Sequence, residues 1–394
     1  MAEQLLDQAI RLKARTFATR LAEVKNDLVG RDEAVDLVAL ATLCREHVLL
    51  IGPPGTAKTL LLDRFRRLLD ARYFSYLLTR FTEPAELFGP LDIRSFQEEG
   101  KYRINTTGML PEADIAFLDE VFQASSAILN TLLTLINERR YSNGSDVRDA
   151  NLVTLLGSSN DIPVDPLLAA FSDRFLLRCR LDYVEDDEIE DLLRLGWTAE
   201  RGTIRPASVV PATDVGFPLA DLLDLQMALA DIDLGGIWDP YLRILRAFRA
   251  EGVTFSDRRA VKAQKTFAAS ALLAGRRRAE VADLAPLIHL WSDIDDELTI
   301  KRIVADNNVP VDDRGHVVRD PTEIAYDLGQ LRRQQQHVES IEEFRESLRR
   351  AHRLLLETRR DHPTAHQLLK DLQGLRDEVL HAYRERYDEE GLYV

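Results

Sequence analysis

The chain has 394 residues, 45% of them hydrophobic, and a formal net charge of -15. That length suits two or three domains with separate cores. No run approaches the roughly 18 to 20 uninterrupted apolar residues of a membrane span, Glu3, Asp7 and Glu23 spoil any signal-peptide core, and the acidic balance weighs against a nucleic-acid groove, which works through Lys and Arg.

A cytoplasmic protein is therefore expected, with Cys44 and Cys179 as small buried residues of a reducing compartment rather than metal ligands. Residues 3 to 27 read as an amphipathic helix, broken by Asn26-Asp-Leu-Val-Gly-Arg31 before a second helix from about Asp32 to Arg45. The apolar run His47-Val-Leu-Leu-Ile51 predicts a buried strand. Gly52-Pro53-Pro54-Gly55-Thr56-Ala57-Lys58-Thr59 follows, then a helix opening at Leu60. Strand, glycine loop and helix in that order form a phosphate cradle: glycines let N–H groups turn inward, and the helix N-terminus adds positive potential. Residues 52–60 are read as nucleotide-binding, with Lys58 reaching the β and γ phosphates and Thr59 holding Mg2+. Ala57 stands where the general pattern asks for glycine, and an idle turn is the competing reading.

Tyr73 to Thr79 has strand character. From Phe81 to Gly108, Asp92–Phe96 and Lys101–Asn105 flank Gln-Glu-Glu-Gly, which predicts a hairpin. Asp114-Ile-Ala-Phe-Leu-Asp-Glu120 is a buried strand ending in two carboxylates, at the strand end where open α/β sheets bind ligands. Asp119 suits the Mg2+ water shell and Glu120 suits polarising a water against the γ-phosphate; alternatively the pair merely opens the next helix, where negative charge fits the dipole. Ser125 to Arg139 is a helix with Ile128, Leu129, Leu132, Leu133 and Ile136 on one face. Tyr141 to Ala150, with Asn143-Gly144, is a second hairpin, and Leu152 to Leu156 is a strand leading to Asn160. The Asn160 amide could bridge a phosphate oxygen and the attacking water, or only close its own turn.

Pro163-Val-Asp-Pro166 starts a short helix to Phe171, followed by Ser172-Asp-Arg-Phe175 and a strand to Arg180. Arg174 is either an ordinary ion-paired arginine or one offered to a neighbouring subunit's nucleotide. Gly202 to Val215 reads as a linker. Helices are predicted over Leu219–Leu229, Asp239–Arg249, Ser256–Gly275 and Ala279–Leu290. Ser256 is an N-cap, so Arg258 sits in a first turn that disfavours cations unless an anion faces it. That makes Arg258 a phosphate-sensor candidate, with Arg259 as the alternate. Asp293 to Glu297 is a solvated helix end rather than a calcium loop, and Asp312-Asp-Arg-Gly315 is a turn. Pro321 to Glu390 carries narrow apolar seams, a helical hairpin or small bundle, with a helix start at Asp361-His-Pro363. His362 and His366, four apart, lack the companions of a metal motif.

The order of these parts resembles the AAA+ ATPases, and within them the MoxR family, above all its RavA-like branch. Gly-Pro-Pro-Gly-Thr-Ala-Lys-Thr, Leu78-Thr-Arg-Phe81, Leu87-Phe-Gly-Pro-Leu91, Gly108-Met-Leu-Pro-Glu-Ala113 and Ala127-Ile-Leu-Asn-Thr-Leu-Leu133 carry the resemblance over about residues 10 to 300. It implies an α/β AAA+ P-loop NTPase core, a parallel sheet flanked by helices with hairpin inserts, followed by an all-α lid and a C-terminal helical hairpin or bundle. The expected boundaries are 1–200, a linker at 201–216, the lid at 217–300 and the tail at 301–394. By resemblance Lys58 and Thr59 are Walker A, Asp119 and Glu120 Walker B, Asn160 sensor 1, Arg174 the arginine finger and Arg258 sensor 2. The implied activity is Mg2+-dependent ATP hydrolysis by a hexameric ring that remodels a protein client beside a von Willebrand factor A domain protein. The tail departs from the RavA pattern in being too short for that branch's β-rich insert. A nucleic-acid motor, kept open by Arg94, Lys101 and Arg103, and a nucleotide-gated scaffold are the alternatives.

Overall fold

Val48–Ile51, four buried apolar residues in succession, can only be satisfied in the middle of a sheet covered on both faces, and the architecture is built around them. The computed structural model describes residues 6–144, 146–162, 166–185, 188–204, 216–311, 318–335, 338 and 341–387. Among the described residues the strands are β1 (Val48–Ile51), β2 (Leu69–Asp70), β3 (Tyr73–Leu77), β4 (Ile115–Asp119), β5 (Arg140–Asn143), β6 (Asp146–Asp149), β7 (Thr154–Ser159), β8 (Leu177–Arg180) and β9 (Phe217–Pro218). Five of them form a parallel sheet in the order β3-β4-β7-β1-β8. Register places Ile51 beside Ser159 and Arg180, and Leu77 beside Asp119. Gly52, Glu120 and Asn160 thus leave the same carboxyl edge, where the connections diverge to either side and a crevice opens.

Helices α1 (Gln8–Asn26), α2 (Asp32–Cys44), α3 (Lys58–Leu68) and α6 (Ser126–Glu138) accompany the sheet. Two of the starts have side-chain caps: Asp7 caps α1 by accepting from Ala9 and Ile10 N–H, and Ser125 caps α6 by accepting from Ile128 N–H. The buried face of α6 comprises Ile128, Leu129, Leu132, Leu135 and Ile136, with Leu135 in place of the expected Leu133.

The first insert is not the hairpin expected over 92–105. After α4 (Pro84–Phe88) it is a helix, α5 (Ile93–Glu99), with one antiparallel bridge between Leu91 and Ile104 at its base. Asp92 is the physical reason, since its carboxylate accepts from Arg94 and Ser95 N–H, and Gly100 closes the helix at φ 64. The second insert is the β5–β6 hairpin. Its tip is joined to the first: Asn143 is buried and exchanges two hydrogen bonds with the Ile104 backbone.

By packing the chain divides into two units, residues 1–185 with 210–309 and residues 186–209 with 310–394. In the first, the lid elements are α9 (Leu219–Ala228), α10 (Trp238–Ala250), α11 (Asp257–Leu273), a 3-10 segment Val281–His289 and α12 (Glu297–Asp306). The 3-10 form replaces the regular helix expected over 279–290, and Pro286 inside it, lacking an N–H, accounts for the difference. Short helix α7 is Pro166–Ser172; its expected opening at Pro163 and the turn at 312–315 lie outside the described residues, and of the linker expected over 201–216 the first four residues instead continue a helix that runs to Ile204, while 205–215 lie outside the described residues.

The second unit holds α8 (Ile189–Ile204) and α13 (Pro321–Gln335), α14 (Ile341–Asp361) and α15 (His366–Tyr387). Ile324, Leu328, Phe344, Leu348, Leu355, Leu372 and Val379 make the core of the last three. Asp361 ends α14 rather than starting a helix, and the next begins only at His366. His362 Nε2 lies 2.6 Å from the Arg319 carbonyl, a structural contact, and no metal-holding group of His, Cys, Asp or Glu occurs among the described residues. Nor, among them, is any helix long and apolar enough to cross a membrane.

Candidate nucleotide site

At the carboxyl edge the loop after β1 is fixed before any ligand is considered. Gly52 cannot be replaced without moving backbone, because a Cβ there would lie 2.0 Å from the Leu181 carbonyl oxygen. Thr56 Oγ1 donates to the Pro53 carbonyl at 2.9 Å, and Arg31, itself buried, donates from Nε to the Thr56 carbonyl at 3.0 Å and from Nη2 to the Asp182 carbonyl at 2.8 Å. Gly55 takes φ 84 and Ala57 φ 63. Ala57 therefore adopts the left-handed geometry that glycine would adopt freely, at a cost of about 1 kcal/mol.

Lys58 opens α3 and turns back over the loop. Its ammonium donates to the Gly52 carbonyl, to the Pro53 carbonyl at 3.3 Å and to Asn160 Oδ1 at 3.1 Å. Asn160 in turn donates from Nδ2 to Glu120 Oε1 at 2.6 Å. Burial pushes the Lys58 ammonium below the usual lysine range, against the opposing pull of Glu120 and Asp119. Asp119 accepts from Ser158 Oγ and from the Glu120 N–H at 3.0 Å. Glu120 itself sits at φ 51, a strained position for a side chain that the turn holds outward from the strand end. Thr59, Pro54, Gly55 and Leu60 are exposed beside this group. A buried ammonium bonded to neutral oxygens, two carboxylates at one strand end and an exposed threonine hydroxyl form a donor set that fits a Mg2+-bound polyphosphate.

A second cluster occupies the amino edge of the same sheet. Arg174 lies just before β8 and donates to its neighbour Asp173 at 3.4 Å; among the described residues its Nε has no partner. Arg258, in the first turn of α11, donates to Asn137 Oδ1 near the end of α6 at 3.0 Å. Partial burial first, and then the nearby Arg258 cation, push Arg174 below the ordinary guanidinium range. Asp173, Arg174, Leu176, Ser256, Arg258, Arg259 and Lys262 line a shallow cleft. Arg259 is only 2% exposed and is engaged by the Leu176 carbonyl at 2.8 Å, the Leu290 carbonyl at 3.1 Å and Asp173 at 3.0 Å. The two residues weighed as alternates thus have different surroundings: Arg259 is an internal tie and Arg258 is at the surface.

Among the described residues no hydrogen bond or ion pair joins Arg174 or Arg258 to Lys58, Asp119, Glu120 or Asn160. The intervening four-residue β1 alone sets the two edges roughly 10 Å apart.

The family model described as the MoxR domain in the MoxR-vWA-beta-propeller ternary systems matches residues 15–216, and an AAA lid domain matches residues 241–304. The chain belongs to the MoxR family. Two uncharacterised proteins of Methanocaldococcus jannaschii are similar to it: MJ0079 is 36% identical over 72% of this chain and 72% of its own length, and MJ0812 is 36% identical over 70% and 71%. Chaperone MoxR1 of Mycobacterium tuberculosis is 27% identical over 48% of this chain and 51% of its own. A crystal structure from Cytophaga hutchinsonii, described as that of a candidate ATPase, superposes with a TM-score of 0.60 at 17% identity, covering 76% of this chain and 96% of that one, which is a likeness of fold.

As a MoxR-family AAA+ ATPase the protein has its phosphate loop, Asp119, Glu120, Asn160 and Arg174 inside the MoxR match and Arg258 inside the lid match. Sequence reasoning missed Arg31. Its signal was present, since Arg31 precedes the first turn of α2, where the helix dipole disfavours a cation. The mismatch that singled out Arg258 applies equally to Arg31, and its cause here is the Thr56 carbonyl of the phosphate loop.

Proposed function

We propose that this MoxR-family ATPase hydrolyses ATP at sites shared between copies of itself, and uses the turnover to remodel or activate a protein partner. The observation that carries the reading is the placement of two complementary groups at opposite edges of one sheet: an ammonium with carboxylates at one, a pair of arginines at the other.

In this reading residues 52–60 hold the phosphates, with loop N–H groups and Lys58 facing the β and γ positions. Mg2+, held by Thr59 and Asp119, would supply charge neutralisation of the phosphate oxygens. Glu120 takes the proton of the attacking water, and Asn160 keeps its carboxylate aimed. Ser158 fixes Asp119 from the side. Arg174 and Arg258 of a neighbouring copy place positive charge where negative charge builds on the departing side, a contribution that can reach about 10³ to 10⁵ in rate.

The family description names MoxR proteins that work in systems with von Willebrand factor A proteins and β-propellers, which supports a von Willebrand factor A domain partner here. A hexameric ring and a place nearest the RavA-like branch belong to the same reading. The experiment is ATP turnover as a function of protein concentration. Turnover per subunit rises as copies associate and is lost in Arg174→Ala with ATP binding retained; an Arg174→Ala protein that turns over like the parent while assembled overturns the shared site. Glu120→Gln, loaded with ATP, is the bait for the partner. Stimulation of turnover by DNA, lost at higher salt, would favour the motor reading instead.

A further inference from the structure

Glu46 is a buried carboxylate, 2% exposed, that the site described above does not use. It lies between α2 and β1, and its two oxygens receive two lysines from the lid helix α11, Lys262 at 2.5 Å and Lys265 at 2.7 Å. Its backbone carbonyl accepts from Thr154 Oγ1 at the start of β7. The Glu46 backbone is thus fastened to the central strands, and the lid helix is fastened to its carboxylate. Removing such a group from water is costly unless paired, so this contact is a strong constraint on how α11 can sit.

The lysines lie four and seven residues after Arg258, which puts all three on one face of α11. The rotation of that helix about its axis therefore decides where Arg258 stands relative to Arg174. Arg259 works with the clamp from the neighbouring face, because it holds one oxygen of Asp173 at 3.0 Å while the other oxygen receives Arg174. Glu46 also lies at the far end of β1 from Gly52, six residues or roughly 20 Å of extended chain away. Among the described residues no hydrogen bond or ion pair joins its side chain to the phosphate loop or the acidic pair of its own chain.

We propose that Glu46 is a positioning residue for the arginine pair: through Lys262 and Lys265 it sets the roll of α11 and thereby aims Arg258, beside Arg174, at the site of the next copy. This rests on the reading of a shared site given above, and the test separates the two.

Glu46→Gln should leave the Kd for ATP within about twofold and lower kcat about 10- to 100-fold, the scale of an ångström-sized misplacement. A merely structural role would lower activity too, so subunits are mixed. Glu46→Gln protein is combined with Glu120→Gln protein, whose own site cannot react but whose arginines are intact, and Arg174→Ala with Glu120→Gln is run alongside. Glu46 as a positioning residue predicts recovery of turnover in both mixtures to similar levels, because the Glu120→Gln copy supplies aimed arginines to its neighbour. Recovery with Arg174→Ala but not with Glu46→Gln overturns the role of Glu46, since the defect then lies in that subunit's own site or fold. Recovery in neither mixture overturns the shared site and this inference with it. Glu46→Gln combined with Lys262→Met and Lys265→Met leaves no unpaired charge in the clamp and is carried through the same mixtures, so a folding failure of the single variant does not decide the result.

Discussion

Asn143 receives the Ile104 N–H on its side-chain oxygen at 2.7 Å and returns a hydrogen bond from its amide nitrogen to the Ile104 carbonyl at 3.2 Å. The neighbouring Gly144, at φ 67, leaves no room for a Cβ, which would lie 1.8 Å from the Tyr102 carbonyl oxygen. The tip of the hairpin and the base of the α5 insert are therefore one joint. Replacing Asn143 with Ala leaves a backbone N–H and a carbonyl without partners, costing about 1 to 3 kcal/mol locally. Hydrogen exchange of residues 91–105 should accelerate about 5- to 150-fold on that scale, with α6 and β7 unaffected; unchanged exchange over 91–105 would refute the joint.

Glu120→Gln keeps an oxygen to accept from Asn160 and loses only the base. Phosphate release should fall about 10²- to 10⁴-fold, with ATP affinity nearly unchanged. Equilibrium binding and single-turnover assays read the two separately, and full turnover would remove Glu120 from its role.

Arg258 and Arg259 should respond oppositely. Arg259→Met strips the buried tie from Asp173, Leu176 and Leu290 and should cost about 3 to 5 kcal/mol of stability, visible in thermal unfolding. Arg258→Ala, at the surface, should leave the melting curve within about 1 °C of the parent, as surface substitutions do, and lower kcat. Equal melting losses would contradict their different burial.

Ala57→Gly releases the left-handed strain at the phosphate loop. The expected gain is about 0.5 to 1 kcal/mol, measured by chemical denaturation, with ATP affinity preserved.

His47 gives the pH dependence. Its Nδ1 accepts from the Leu155 N–H at 3.0 Å, Nε2 lies 3.0 Å from the Ile136 carbonyl, and Arg139 stands 2.9 Å from the ring. Burial, reinforced by Arg139, holds it well below the ordinary histidine value of about 6.5. Above that pH both folded and unfolded states carry a neutral ring, and this contribution is flat. As pH falls below 6.5 the unfolded chain takes up a proton that the folded one refuses, so stability declines by up to about 1.4 kcal/mol per pH unit. Denaturation at pH 5 to 8 should show that decline flattened in His47→Asn.

What could be read from the sequence was what local pattern encodes. The apolar run ahead of Gly52, the paired carboxylates after Leu118 and the periodic face of α6 each state their element within a dozen residues. Helix α5 was hidden because Asp92 and Gly100, an N-cap and a C-cap, are also the residues of turns. The contact of Asn160 with both Lys58 and Glu120 follows once β1, β4 and β7 are neighbours. The grouping of Arg258 with Arg174 and the burial of Glu46 under α11 are different: they depend on how the lid docks on the sheet, across more than 80 residues of chain, and no local spacing carries that.

The separation of the phosphate loop and the arginine pair along β1 has a consequence for assembly if the proposed shared site holds. A contact that brings the arginine edge of one copy to the phosphate edge of the next is heterologous, head to tail, and cannot be a two-fold handshake. In that proposal a pair of copies completes a single site and leaves an unused edge at each end. Every further copy adds one working site, and only closing the circle puts the last pair of edges to use.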